Sequence, residues 1–292
     1  MKNKLLFLII VIELFSLVLI KPIKSKVYRY STNVFKSSNL NSEKLENYVI
    51  GVVAAEMPAS FSFEALKAQA VAARTFAYNK ISNNILNYDE LVNDKGQAYI
   101  SVDEMKDKWK DSFVNNYDKI SKAVLDTKGE IITYNDKPIM SYYFSVSNGK
   151  TEESANVFSN QPYLLSVDSS WDINSKEYEK NMYMSKEEIL KKLGINDNDL
   201  RISNIEHNSS NRIKSINING ILYSGIDIRK KLGLRSTDFT FDLEENQVKI
   251  KTNGYGHGVG MSQYGANYLA NQGKNYKEII KYYYNGVNIK KL

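Results

Sequence analysis

The chain has 292 residues, 42% of them hydrophobic and 25% charged, with no cysteine and a formal net charge of +6. That length builds a sizeable core, in one large domain or two modest ones. The missing cysteines exclude disulfides, thiolate metal sites and a cysteine nucleophile, and two distant histidines, His207 and His257, leave no paired-ligand spacing for structural zinc.

The chain opens on MKNKLLFLIIVIELFSLVLIKPIKSK, with lysines on both sides of the apolar run Leu5–Ile20. As a helix that run spans about 24 Å, short of a bilayer core of about 30 Å. No small-x-small cleavage site follows, so residues 1–26 read as a signal anchor in preference to a cleaved signal peptide; either exports the body of the protein. Residues 27–43 are polar and read as a linker or an entry strand. Positive charge suits acidic wall polymers or anionic headgroups, while export of the body speaks against nucleic acid; the scattering of the lysines also fits an ordinary solvated surface.

Lys44–Met57 (KLENYVIGVVAAEM) has the spacing of an amphipathic helix. With Leu45 as origin, Val49, Val52 and Val53 fall at about 40°, −20° and 80°, and Glu56 lands at about 20°, inside the apolar stripe. Glu56 also sits in the last turn before Pro58, where the helix dipole disfavours negative charge. Both effects favour the protonated carboxyl, which makes Glu56 a candidate general acid. The structural alternative is a glutamate that bends outward or pairs with Lys67 or Arg74.

Ser62 is a plausible N-cap for a second helix, Phe63–Lys80, whose Leu66, Ala70, Ala73 and Ala77 form a stripe that admits close neighbours. A helix follows at Asp111–Asp126, then a hairpin of Glu130–Tyr134 and Ile139–Val146. Asn219-Gly220 predicts a type I′ hairpin, Ile226–Leu232 a short helix stopped by Gly233, and Phe239–Leu243 with Gln247–Lys251 a third hairpin. A helix from about Ser262 to Gln272 and a last one opening on the capping-box-like Asn275–Glu278 close the chain. Segregated helices and hairpins predict an α+β fold over residues 44–292.

Thr252–Ala266 reads TNGYGHGVGMSQYGA, with alternating glycines that match neither a dinucleotide fingerprint nor a P-loop. Such glycines let the backbone approach a ligand or another strand closely. Tyr255, His257, Ser262, Gln263 and Tyr264 then offer tyrosines and amides suited to sugar hydroxyls and acetamido groups; the alternative is a tight turn with His257 packed.

Together, GVVAAEMPASFSFEALKAQAVAARTFA (51–77) and GYGHGVGMSQYGA (254–266) closely resemble the stage II sporulation protein D family, with supporting likeness at 129–158 and 225–239. The resemblance implies a membrane-anchored lytic transglycosylase. Such an enzyme cuts peptidoglycan glycan strands, preferably peptide-stripped, during forespore engulfment, beside a sporulation amidase and a membrane scaffold protein. It implies a catalytic role for Glu56 and site-shaping roles for Lys67, Arg74, Ser262 and Tyr264. The chain departs from the family at Phe144, where relatives often carry histidine, and at Ser147, where some carry a zinc-binding cysteine. No metal or other cofactor is therefore expected.

Glycan hydrolysis normally uses two carboxylates. Glu64 reads as a helix N-terminal dipole partner, and Glu152 and Glu153 as solvated. A single acid fits a transglycosylase in which Glu56 serves as acid and then as base. A non-catalytic peptidoglycan-binding enhancer of an amidase, and a two-carboxylate muramidase, remain the competing readings.

Overall fold

The structure, a computed structural model, describes residues 42–292 apart from Asn246, all belonging to one compact unit. The leader expected at 1–26 and most of the 27–43 linker lie outside these residues; Ser42 and Glu43 already belong to the first helix, α1 (Ser42–Glu56). Among the described residues no helix is long and apolar enough to cross a membrane.

The fold is α+β, with two hydrophobic cores. The first is helical. Leu45, Val49, Val52 and Val53 are buried as expected, but so are Tyr48, Ile50 and Ala54 on the other faces. α1 is therefore a core helix rather than a surface amphipathic one. Against it pack α2 (Phe63–Ser82), whose alanines keep side-chain bulk low, and α4 (Phe113–Asp126), which follows α3 (Val102–Trp109). Gly51 permits a closer approach still. A Cβ there would collide with the Tyr99 ring and the Ile100 carbonyl, so only glycine lets the 97–100 segment cross α1.

β1 (Glu130–Tyr134) forms the expected turn with β2 (Lys137–Pro138), but the hairpin is short: Thr133 faces Pro138 and Tyr134 faces Lys137. Proline contributes no ladder donor, and past Ile139 the chain leaves the sheet. The anticipated long second arm instead supplies β3 (Tyr143–Phe144), which runs parallel to a strand from the far end of the chain.

The second core lies within 179–253. β4 (Glu179–Met184) precedes α5 (Lys186–Leu193), β5 (Ile202–His207), β6 (Ile213–Ile218), β7 (Ile221–Ser224), α6 (Gly225–Leu232), β8 (Asp238–Leu243) and β9 (Val248–Asn253). They form two antiparallel sheets, ordered β4-β9-β8 and β5-β6-β7. The Asn219-Gly220 turn has φ of 53° and 84°, as a type I′ hairpin requires. The sequence reading missed β4, β5 and α5, although α5 carries its signals: Ser185 accepts from the Glu188 amide and Gly194 closes the helix in the left-handed region.

The chain then returns to the first core through β10 (Met261–Ser262), the partner of β3, followed by α7 (Gln263–Asn271), α8 (Tyr276–Tyr283) and β11 (Asn288–Lys291) on the free edge of β1.

Candidate active site

Glu56 ends α1 beside the buried Met57 and is itself half-buried. It forms part of the wall of a cavity of about 340 Å³ with Gln97, Tyr142, Tyr143, Phe158 and His257; Phe76, Gly96, Ala98 and Ser141 complete the lining. The volume lies at the small end of ligand sites, which run to about 300–1,000 Å³.

Three separate parts of the chain converge on the carboxyl. From α7, the Gln263 amide donates to Glu56 Oε2 at 3.1 Å. The 97–100 segment, seated by Gly51, brings Gln97. Its amide oxygen accepts from Tyr48 Oη at 3.3 Å, and its Nε2 donates to Tyr143 Oη at 2.6 Å. From β3 comes the half-buried Tyr143. Burial first, and the nearby Glu56 charge second, push its phenol well above the usual tyrosine range, so it stays protonated.

The glycine segment 254–260 threads between pieces of the 142–152 chain, with Tyr255 bridged to Val146 and Val259 to Glu152. At Gly260, with φ of 80°, a Cβ would strike the Tyr142 carbonyl; its absence lets β10 lie alongside β3. Gly254 and Gly260 thus serve backbone-to-backbone contact, while Gly256 and Gly258 make room for the Phe144 and Arg212 side chains. His257 is held under this crossing. Its ring lies 5.2 Å from Phe158 and 5.9 Å from both Tyr142 and Phe144, centroid to centroid. Its Nδ1 accepts from the Val259 amide at 3.1 Å, which leaves the neutral ring's proton on Nε2. Part of the ring reaches solvent at the cavity, yet the packing around it dominates. Burial, then the charges of Arg229 and Arg212, lower its pKa to about 4 against the pull of the Tyr143 backbone. His257 is therefore an uncharged wall group at neutral pH.

Other residues singled out in the sequence take structural places. Ser262 is buried, caps α7 through the Gly265 amide at 3.1 Å and donates to Asp172. The Tyr264 ring meets Phe61 edge-on at 4.9 Å. Tyr255 is 45% exposed, with the Arg235 guanidinium 4.1 Å above its ring. Lys67 pairs with Glu64 at 3.0 Å and lies over the Phe63 ring. Arg74 is fully buried in an ion pair with Glu46. None of these lines the Glu56 cavity.

The remaining carboxylates also differ from expectation. Glu64 accepts from the Tyr276 amide at 2.8 Å, so it serves the start of α8 as well as its own helix. Glu152, expected to be solvated, is 1% exposed and accepts from the Glu153 amide, Asn156, Asn208 and Ser210. Its partners at 208 and 210 come from a distant loop, which the local Ser-Asn-Gly-Lys pattern does not reveal. Asp172 is buried, and desolvation raises its pKa to about 6 despite donors at Ser262 and the Ser147 amide. Neither Glu152 nor Asp172 reaches the cavity lining. Phe144 and Ser147, where the chain departs from relatives, are both buried: Phe144 packs on His257, and Ser147 Oγ donates to the Ser169 carbonyl at 3.0 Å.

A site of this kind invites comparison with known proteins. A family model described as Stage II sporulation protein matches residues 35–134, which include Glu56 and Gln97. The chain is 43% identical over 269 residues to stage II sporulation protein D of Bacillus subtilis, covering 89% of this chain and 78% of that protein. The Bacillus amyloliquefaciens protein of the same name is 44% identical over the same shares. The amidase enhancer of Bacillus subtilis is 27% identical over 82% of this chain and 40% of its own length. At these identities and over this much of both chains, the protein belongs to the stage II sporulation protein D family.

Proposed function

We propose that this sporulation protein is a lytic transglycosylase acting on peptidoglycan glycan strands, with Glu56 as the single acid and base. Glu56 gives its proton to the glycosidic oxygen as the bond from muramyl C1 breaks. The C6 hydroxyl oxygen of the same sugar then closes on C1, and the Glu56 carboxylate takes the hydroxyl proton, which restores the acid and leaves a 1,6-anhydro end. No water is consumed and no second base is required.

The observation that carries the reading is Glu56 in a small aromatic-walled cavity where, among the described residues, no other carboxylate lines the wall. A two-carboxylate hydrolase needs its pair about 5–9.5 Å apart across the scissile bond. His257, uncharged at neutral pH and engaged at Nδ1, is not a substitute base. The faces of Tyr142 and Phe158 suit the apolar face of a sugar ring. Tyr143, a protonated phenol near Glu56, is placed to donate to substrate or carboxylate. In this reading Gln263 fixes the carboxyl orientation, Tyr255 marks the rim, and Lys67, Arg74, Ser262 and Tyr264 shape the site through packing. An anchor in residues 1–26 would hold the domain on the extracytoplasmic side, between mother cell and forespore, beside an amidase that strips stem peptides and a membrane scaffold.

The test is mass spectrometry of products from purified glycan strands. Wild type is expected to release anhydro-muramyl ends and Glu56→Gln to release none while still binding. Reducing ends, heavier by one water, would indicate a muramidase. The likeness to an amidase enhancer favours a second reading, in which the protein binds glycan and stimulates an amidase without cutting. Absence of any cleavage by wild type, with stimulation of an added amidase, would establish that reading instead.

A further inference from the structure

Helix α1 ends with a gap in its hydrogen bonding. The Val53 carbonyl accepts from the Met57 amide at 3.0 Å, but the amide due to the Ala54 carbonyl belongs to Pro58, which has no N–H. The last turn carries no basic side chain of its own. Lys108, from the end of α3, supplies the missing donor: its Nζ reaches the Ala54 carbonyl at 2.9 Å. Lys119, from α4, takes the turn that follows. Its Nζ donates to the Ala59 carbonyl at 2.8 Å and to the Phe61 carbonyl at 2.6 Å.

Among the described residues neither amine has a carboxylate within ion-pair distance, whereas Lys67 and Arg74 are matched to Glu64 and Glu46. Partial burial lowers the pKa of each amine, while carbonyls, which only accept, favour its protonated form. Two cations thus close the carbonyl end of the helix whose last residue is Glu56, where the helix dipole otherwise opposes a carboxylate. The cavity offers no substitute. The titratable groups facing Glu56 there are Tyr142 and Tyr143, whose phenols are raised by burial, and His257, uncharged at neutral pH; Gln97 and Gln263 are neutral. Among the described residues no lysine or arginine lines it.

We propose that Lys108 and Lys119 are positioning residues for Glu56: they fix its turn and hold its carboxyl poised between giving a proton and taking one back. This rests on the acid-and-base reading above and adds to it the groups that make both halves accessible. Without the two ammonium groups, the dipole and the half-buried setting keep the proton on Glu56. That suits cleavage of the glycosidic bond and hinders the step in which the carboxylate takes the C6 hydroxyl proton.

The experiment follows Glu56 itself by NMR, in the full chain held in mild detergent and labelled with carbon-13 at the glutamate carboxyls; the signal missing from Glu56→Gln identifies it. Each cation removed is expected to raise the pH midpoint of Glu56 by about 0.2–0.7 unit, the scale of a charge at a helix C-terminus. Lys108→Met and Lys119→Met should each show that rise and the double variant roughly their sum, while Lys108→Arg and Lys119→Arg should stay near wild type. A purely structural role would lower Tm in the methionine variants and leave the midpoint alone. A folded double variant that titrates with wild type overturns the proposal. So do arginine variants that shift as far as the methionine ones, since the charge would then be irrelevant. Should the double variant unfold, the single variants carry the test, and two unmoved midpoints overturn it. Product analysis with Glu56 intact reports separately: a raised midpoint beside a wild type that releases no anhydro ends would sink the transglycosylase reading alone.

Discussion

Replacing Arg74 by alanine separates a structural role from a role at the site. The guanidinium is wholly buried. It donates from Nη2 to Glu46 Oε2 at 2.6 Å and from Nε to both Glu46 oxygens at 3.0 and 3.1 Å. It also donates to the Val124 carbonyl at 3.0 Å and the Glu130 carbonyl at 3.1 Å, which ties the end of α4 and the start of β1 to α2. Alanine leaves the Glu46 carboxylate buried with the Gly129 amide as a remaining donor, and takes one donor each from the Glu130 and Val124 carbonyls, the latter keeping those of Thr127. Breaking a buried pair from one side costs roughly 3–5 kcal/mol. At about 2–4 °C per kcal/mol for a unit of this size, Tm should fall by roughly 6–20 °C. The assay is a calorimetric melt, with product release measured well below both transitions. Activity per folded molecule should survive, and the double variant Arg74→Met with Glu46→Leu should recover much of the lost stability. An Arg74→Ala protein that melts with wild type yet yields no products would refute this account and return Arg74 to the site.

Two further outcomes follow from the packing. Gly51→Ala should lower the urea midpoint, because the clash with the Tyr99 ring and the Ile100 carbonyl, typically about 1–3 kcal/mol, outweighs a helix-propensity gain of about 1 kcal/mol. A midpoint at or above wild type would show that the 97–100 segment yields easily. Asp172 has its folded pKa raised from 3.8 to about 6, so its favourable contribution is complete below pH 3.8 and is lost as pH rises through 6. Relative to Asp172→Asn, wild type should lose about 2–2.5 kcal/mol of stability between pH 4 and pH 7, most of the roughly 3 kcal/mol that the whole shift is worth at 1.36 kcal/mol per pKa unit. A gap between the two proteins that does not change with pH would contradict the raised pKa.

The sequence reached furthest where the signal is local. Glu56 stood out because α1 is otherwise apolar, and Gln263 and His257 because they punctuate a glycine segment; the fold brings these three together. Tyr143 and Gln97 passed unnoticed. Gln97 lies in a polar, aromatic stretch with no period, and its place depends on a glycine in α1. Tyr143 belongs to a two-residue strand whose partner is β10, so no neighbouring residue announces it. Arg74 looked like a site residue because it shares a distinctive segment with Glu56, yet burial beside Glu46 shows that such a segment also records packing. Most helices of the first core were legible from period and caps, although α3 was not, despite its Ser101–Glu104 capping box. Much of the second core was not: β4 and β5 gain their order only from pairing with later strands.

Ser62 donates its backbone amide to the Asn267 side chain at 2.7 Å and its hydroxyl to Asn271 at 2.9 Å, which rivets the turn after Glu56 to the body of α7. The carboxyl and the amide that steadies it therefore travel as one piece. The facing wall, Gly96–Ala98 and Phe158, belongs to connecting chain rather than to this riveted pair. Divergence in what the cavity admits is thus free to accumulate on one wall, while the proton-handling wall is inherited as a unit.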